Sequence, residues 1–265
     1  SSSSAASDVY KRQTPDIRVA DVTYNTEKIC GLIDETVKGG AKVVAFPELC
    51  VTGYTCGDLF TQEVLLQEAR AALHKIASHT KGKDALIFIG VPVAVEGKLY
   101  NVAAALNQGK ILGLTTKSFL PNYGEFYEMR QFTEGPSAAR EILFDGEKMP
   151  FGPQLLFVAD SMESLVVSAE ICEDAWSSVP PSIEAAREGA VIIANCSASD
   201  ETVGKSTYRR NLIEGQSARL ICGYLYANAG EGESTTDLVF GGHNLIAENG
   251  SVLKEGRRFE NGVIY

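Results

Sequence analysis

The stretch SLVVSAEICEDAW, residues 164–176, begins as the apolar middle of a strand and then places Glu170, Cys172, Glu173 and Asp174 close together. A cysteine there is either a small buried hydrophobe or a nucleophile. A nucleophilic thiol needs a base, and most thiol hydrolases use histidine. This chain has 3 histidines. His74 and His79 fall five apart on a charged helical stretch, so they do not share a face and read as solvated. His243, in the Gly-rich FGGHN, is the one imidazole that could serve. A Cys–His pair and a metal centre are both poorly supported.

Carboxylates and lysines remain. VVAFPELCVTGY puts Glu48 just past a short buried strand. LGLTTKSFLPNYGEFYEMRQF puts Lys117 at the end of another, and Cys172 ends a third. Taken singly, these are a loop or cap acid, an edge charge and a structural thiol. Together they form a workable set, because ligands of open α/β sheets bind beyond strand ends. The carboxylate takes the thiol proton and the thiolate attacks a carbonyl carbon. The ammonium and a backbone N–H hold the developing oxyanion. Burial would raise the acid's pKa toward neutrality, as a base working near pH 7 needs.

The elements that must position these groups follow from periodicity. Residues 26–38 and 61–78 carry apolar helical faces, the second counting Val64, and Gly39-Gly40 stops the first. KVVAF (42–46), ALIFIGV (85–91), LYNVAAAL (99–106) and KILGLTTK (110–117) read as strands, with EGK and NQGK as hairpin turns. Residues 118–153 read as a long polar loop. QLLFVAD, SLVVSAEI, AVIIANC (190–196) and GYLYANA read as further strands, with helices over 181–189 and 206–221. TDLVFGG, HNLIAEN and SVLKEG read as three short closing strands. The pattern predicts a layered α/β domain with mixed sheets.

Composition narrows the function classes. The chain has 265 residues, 45% hydrophobic, enough for one large core. The net charge of −10 argues against nucleic acid or an anionic membrane as partner. No apolar run approaches the ~20 residues of a membrane span. The 6 cysteines form no C-x-x-C pair, which favours free thiols and a reducing cytoplasm. SSSSAASDVYKRQ (1–13) has no apolar signal core and reads as a foreign or disordered leader, leaving 14–265 as the domain.

The segments around Glu48, Lys117 and Cys172 resemble the three signatures of the nitrilase superfamily of carbon–nitrogen hydrolases. FPELCVTGYTCGDLF, LPNYGEFYEMRQF, SAEICEDAW, TVGKSTYRRNLI and ANAGEGESTTDLVFGGHNLIAENG, in that order, resemble the glutaminase domain of glutamine-dependent NAD synthetases. The resemblance implies a four-layer αββα sandwich and a Glu–Lys–Cys triad. Glu48 would be general base and later acid, Lys117 would stabilise the tetrahedral intermediate, and Cys172 would form a γ-glutamyl thioester. Tyr123, Glu173 and Ser199 fall where that domain holds the α-amino and α-carboxylate groups of glutamine. Lys205 sits where a cation would help with the carboxylate. Glu128 would orient Lys117, and Tyr54 would line the pocket.

The resemblance further implies L-glutamine as substrate and no cofactor for this domain. ATP and Mg would serve a synthetase domain of the same full-length chain, absent from this sequence, in a homo-oligomer. Two departures are expected: no opening strand in 1–13, and an interrupted last strand at GVIY. SDETVGKS (199–206) imitates a phosphate loop, but Ser stands where the pattern needs its first Gly, and Asp200 and Glu201 would repel phosphates. The competing readings are a stand-alone amidase of the same superfamily and an inactive scaffold.

Overall fold

The structure, a computed structural model, describes residues 10–264. Its first sheet contains β1 (Tyr10–Thr14), β2 (Val43–Ala45), β3 (Leu86–Val95), β4 (Lys98–Asn107), β5 (Lys110–Thr116), β6 (Arg140–Phe144), β7 (Glu147–Gly152) and β14 (Gly262–Ile264). Their spatial order is β14-β1-β2-β3-β4-β5-β7-β6. The second sheet contains β8 (Phe157–Ala159), β9 (Met162–Ile171), β10 (Ile192–Ser197), β11 (Gly223–Asn228), β12 (Leu245–Glu248) and β13 (Ser251–Glu255). Here the order is β13-β12-β11-β10-β9-β8. β1, β2 and β3 run parallel, as do β9, β10 and β11, so both sheets are mixed.

Alternation within the strands builds the layers. Val43, Ala45, Phe88, Ala103 and Ala105 of the first sheet meet Val167, Ala169, Ile192, Ala194 and Leu225 of the second. The other faces of the strands carry Val44, Ile87 and Ile89 on one side and Ile193, Tyr224 and Leu245 on the other. Helices α1 (Val22–Lys38) and α2 (Glu63–His79) cover the former through Ile29, Ile33, Leu73 and Ile76. Helices α3 (Pro181–Arg187) and α4 (Lys205–Leu220) cover the latter through Ala185 and Ile213. The result is the expected αββα sandwich. Among the described residues no helix is long and apolar enough to cross a membrane.

Four expectations are corrected. Residues 10–13, where no opening strand was expected, are part of β1, which pairs with β2 and β14. Ladder pairing uses the backbone, so the polar YKRQT gives no apolar signal for it. The expected leader's residues 1–9 lie outside the described residues. The loop at 118–153 contains a β6–β7 hairpin that buries Ile142, Phe144, Met149 and Phe151. Its turn residues Asp145 and Gly146 both take positive φ, the conformation Asp-Gly favours. TDLVFGG is a loop rather than a strand, with an isolated bridge between Asp200 and Phe240. Val64, counted on the apolar face of its helix, is exposed.

Candidate active site

Glu48, Lys117 and Cys172 each lie one to three residues past the carboxyl end of a strand, namely β2, β5 and β9. Gly90 in β3 makes room for the first of them. A Cβ at Gly90 would stand 2.3 Å from both Leu49 N and Pro47 O. The loop carrying Glu48 therefore lies directly on a strand without a side chain, and Val51 N–H donates to Gly90 O at 3.3 Å.

Lys117 is fully buried, and its Nζ donates to Glu48 Oε1 and to Glu128 Oε1, each at 2.6 Å. Tyr54 donates its hydroxyl to the same Glu128 oxygen at 2.7 Å. Glu48 is fully buried as well. Its Oε1 also accepts from Asn101 Nδ2 at 2.6 Å, and its Oε2 accepts from Ala198 N–H at 2.9 Å. Two carboxylates thus share one ammonium in a dry site, where an unpaired charge would be very costly. Burial alone would lower the Lys117 pKa, but the charges of Glu128 and Glu48 outweigh it and hold the amine protonated. Burial pushes Glu128 up to about 7, Lys117 opposing and Glu48 adding to the rise.

Cys172 follows β9 at a sharp turn into a 3-10 helix, Cys172–Trp176. Its φ of 43° is left-handed, a strained choice for a residue with a side chain. Asp174 secures the turn, since its Oδ2 accepts Ile171 N–H at 2.9 Å. The Cys172 N–H donates to Asn195 Oδ1 at 3.1 Å. Burial and the charge of Glu48 push the thiol up, while Lys117 and the Ala198 backbone pull it down. The net shift is upward, so the sulfur rests as a thiol and needs a base to become a nucleophile.

The sulfur borders a cavity of about 230 Å³, lined also by Pro121, Tyr123, Phe126, Glu173, Trp176, Ser199 and Lys205. Tyr123 donates its hydroxyl to Glu173 Oε1 at 2.8 Å. Lys205 pairs with Asp200 and lies 5.6 Å from the ring centres of Phe126 and Trp176. The cavity lining therefore offers both a carboxylate, Glu173, and a cation, Lys205. All nine candidate residues are brought together in two connected groups. Tyr54 and Glu128 also line a second cavity of about 230 Å³, which Phe126 borders as well.

His243 is not part of this arrangement. It is buried against Arg209 and Glu255, and burial lowers its pKa. Glu170 faces away from the cavity residues, accepting from Tyr224 Oη and from Ser182 N–H. Asn101, Asn195 and Gly90 were missed from the sequence. Each stands inside an otherwise apolar strand, and that mismatch was the available signal.

Residues 11–265 match the family model described as carbon-nitrogen hydrolase. Glutamine-dependent NAD(+) synthetase from Mycobacterium leprae is 40% identical over 244 residues, 92% of this chain and 36% of that protein. The Aquifex aeolicus protein of the same name is 32% identical, over 93% of this chain and 40% of its own length. The chain thus spans well under half the length of these relatives. A crystal structure of a glutamine-dependent NAD(+) synthetase from Cytophaga hutchinsonii superposes with a TM-score of 0.86 at 30% identity, covering 97% of this chain and 42% of that one. An amidase of the nitrilase superfamily from Nesterenkonia shares the fold, with a TM-score of 0.75 at 20% identity over 97% of this chain and 89% of that one. On the family match, which takes in nearly all of its length, this chain belongs to the carbon–nitrogen hydrolase family.

Proposed function

We propose that the chain is a glutamine amidohydrolase module, releasing ammonia for ATP-dependent amidation of nicotinate adenine dinucleotide by a synthetase domain. The observation that carries the hydrolase chemistry is Lys117, buried between Glu48 and Glu128 and near enough to Cys172 to pull its thiol pKa down. The names of the relatives support glutamine as the amide donor. ATP and magnesium belong to the synthetase step, and the homo-oligomer to the full-length protein.

In this reading Glu48 accepts the thiol proton as the sulfur attacks the side-chain amide carbon of glutamine. The C–O π pair moves to oxygen. Lys117 Nζ and the Glu173 N–H stabilise that oxyanion, since the Cys172 N–H is already committed to Asn195. Glu48 returns the proton to the amide nitrogen, the C–N bond breaks, and ammonia leaves a γ-glutamyl thioester. Glu48 then takes a proton from water, whose oxygen attacks the thioester carbon. The carbon–sulfur bond breaks, the thiol is reprotonated, and glutamate is released. Glu173 with Tyr123 receives the α-ammonium group, and Lys205 with Ser199 receives the α-carboxylate. The phosphate-loop imitation at 199–206 is not used in this reading, because Ser199 stands where the pattern needs its first Gly and Asp200 and Glu201 would repel phosphates.

A coupled assay for glutamate release tests the reading. Turnover of L-glutamine well above that of short aliphatic amides is expected. Equal turnover of both classes, or none of glutamine, contradicts it.

A further inference from the structure

Arg209, on α4, is fully buried and does not line the cavity. Its Nη2 donates to Ser199 Oγ at 3.1 Å and to Asp200 O at 2.7 Å. Its Nη1 reaches Glu201 Oε1 at 2.6 Å and His243 Nδ1 at 2.9 Å. A guanidinium only donates, so each of these partners must accept. Two consequences follow. His243 carries its proton on Nε2, where Glu255 Oε1 accepts it at 2.8 Å. Ser199 Oγ spends a lone pair on the guanidinium and keeps its own proton for another acceptor, either the neighbouring Tyr226 hydroxyl or a ligand in the cavity. Ser199 lines the cavity beside Lys205, and its own N–H is fixed by Asn228 Oδ1 at 2.7 Å.

We propose that Arg209 is a positioning residue for substrate specificity, holding the Ser199 hydroxyl as an outward-facing donor for the substrate's α-carboxylate. A hydroxyl that accepts from a cation is polarised, and its own hydrogen bond to an anion is strengthened. Lys205 supplies charge in the same cavity, but its ammonium is shared with Asp200. Ser199 therefore supplies direction where Lys205 supplies attraction. Arg209 is held by Glu201, Asp200 and His243, none of which lines the cavity, so the site is organised by contacts made without substrate.

The inference rests on the glutaminase reading, and the test separates the two. The kcat/KM of L-glutamine is compared with that of γ-aminobutyramide, which is glutamine without its carboxylate. Arg209→Lys keeps the charge but loses the fork that reaches Ser199 and Glu201 together. It should lower the glutamine-to-γ-aminobutyramide ratio by about tenfold or more, mainly through the KM of glutamine. Ser199→Ala should lower it similarly, and the double variant should be no worse than Ser199→Ala alone. If Arg209→Lys does not fold, His243→Phe keeps Arg209 and removes one of its acceptors, and the same ratio should fall. Proportional loss on both amides, or additive effects of the Arg209 and Ser199 changes, overturns the inference. Wild-type protein that does not hydrolyse glutamine overturns the functional reading instead.

Discussion

Asp174 Oδ1 accepts the backbone N–H of Ser118 at 3.0 Å. The same oxygen accepts Phe119 N–H at 2.9 Å, while Oδ2 holds Ile171 N–H. One buried carboxylate thus fastens the turn of Cys172 to the strand end of Lys117, which belong to different sheets. Asp174→Ala leaves three backbone donors without this acceptor. It should destabilise the protein by at least about 2 kcal/mol. Activity should fall further than the melt alone accounts for, because sulfur and ammonium lose their common anchor. Denaturant unfolding together with kcat at a temperature where the variant is fully folded checks this.

Gly90 is the second structural determinant. Gly90→Ala pushes a methyl into the backbone at Pro47 and Leu49, on either side of Glu48. Overpacking of this kind costs about 1–3 kcal/mol. The displaced part carries Glu48, so kcat should drop while the KM for glutamine changes little. A melt paired with steady-state kinetics measures both.

Glu128 gives a pH signature with two signs. Its folded pKa is raised from 4.5 to about 7. Folded protein therefore binds this proton more tightly than unfolded protein. The stability it contributes is complete below 4.5 and is lost as the pH rises through 7. Activity runs the other way, because a protonated Glu128 no longer helps to hold Lys117 as an ammonium. The rate should show an acid limb near neutrality while the melting temperature rises on acidification. Glu128→Gln should flatten both trends in that window, as read from pH–rate profiles and melts.

Much of this architecture was legible in the chain. Strand ends at Glu48, Lys117 and Cys172 stand out because apolar runs stop there at polar groups. The β6–β7 hairpin was hidden by charged residues on its exposed face, although Asp145-Gly146 marked its turn. β1 was hidden because ladder pairing uses the backbone, and its YKRQT carries no apolar run. Arg209 was illegible for another reason. It sits on the most polar helix, where arginine ordinarily faces water, and only packing against Ser199, Glu201 and His243 reveals its burial. Glu233 was hidden likewise: it is a loop acid that accepts the N–H groups of Tyr54 and Thr55 from 178 or more residues away.

The central claim is that Cys172 is the nucleophile and Glu48 its base. Intact-mass spectrometry after exposure to the glutamine analogue diazo-oxo-norleucine tests it most directly. The account predicts one covalent adduct, mapped to Cys172, none on Cys172→Ala, and labelling of Glu48→Gln slowed about a hundredfold or more. An adduct that persists on Cys172→Ala, or Glu48→Gln labelled at the wild-type rate, would contradict it.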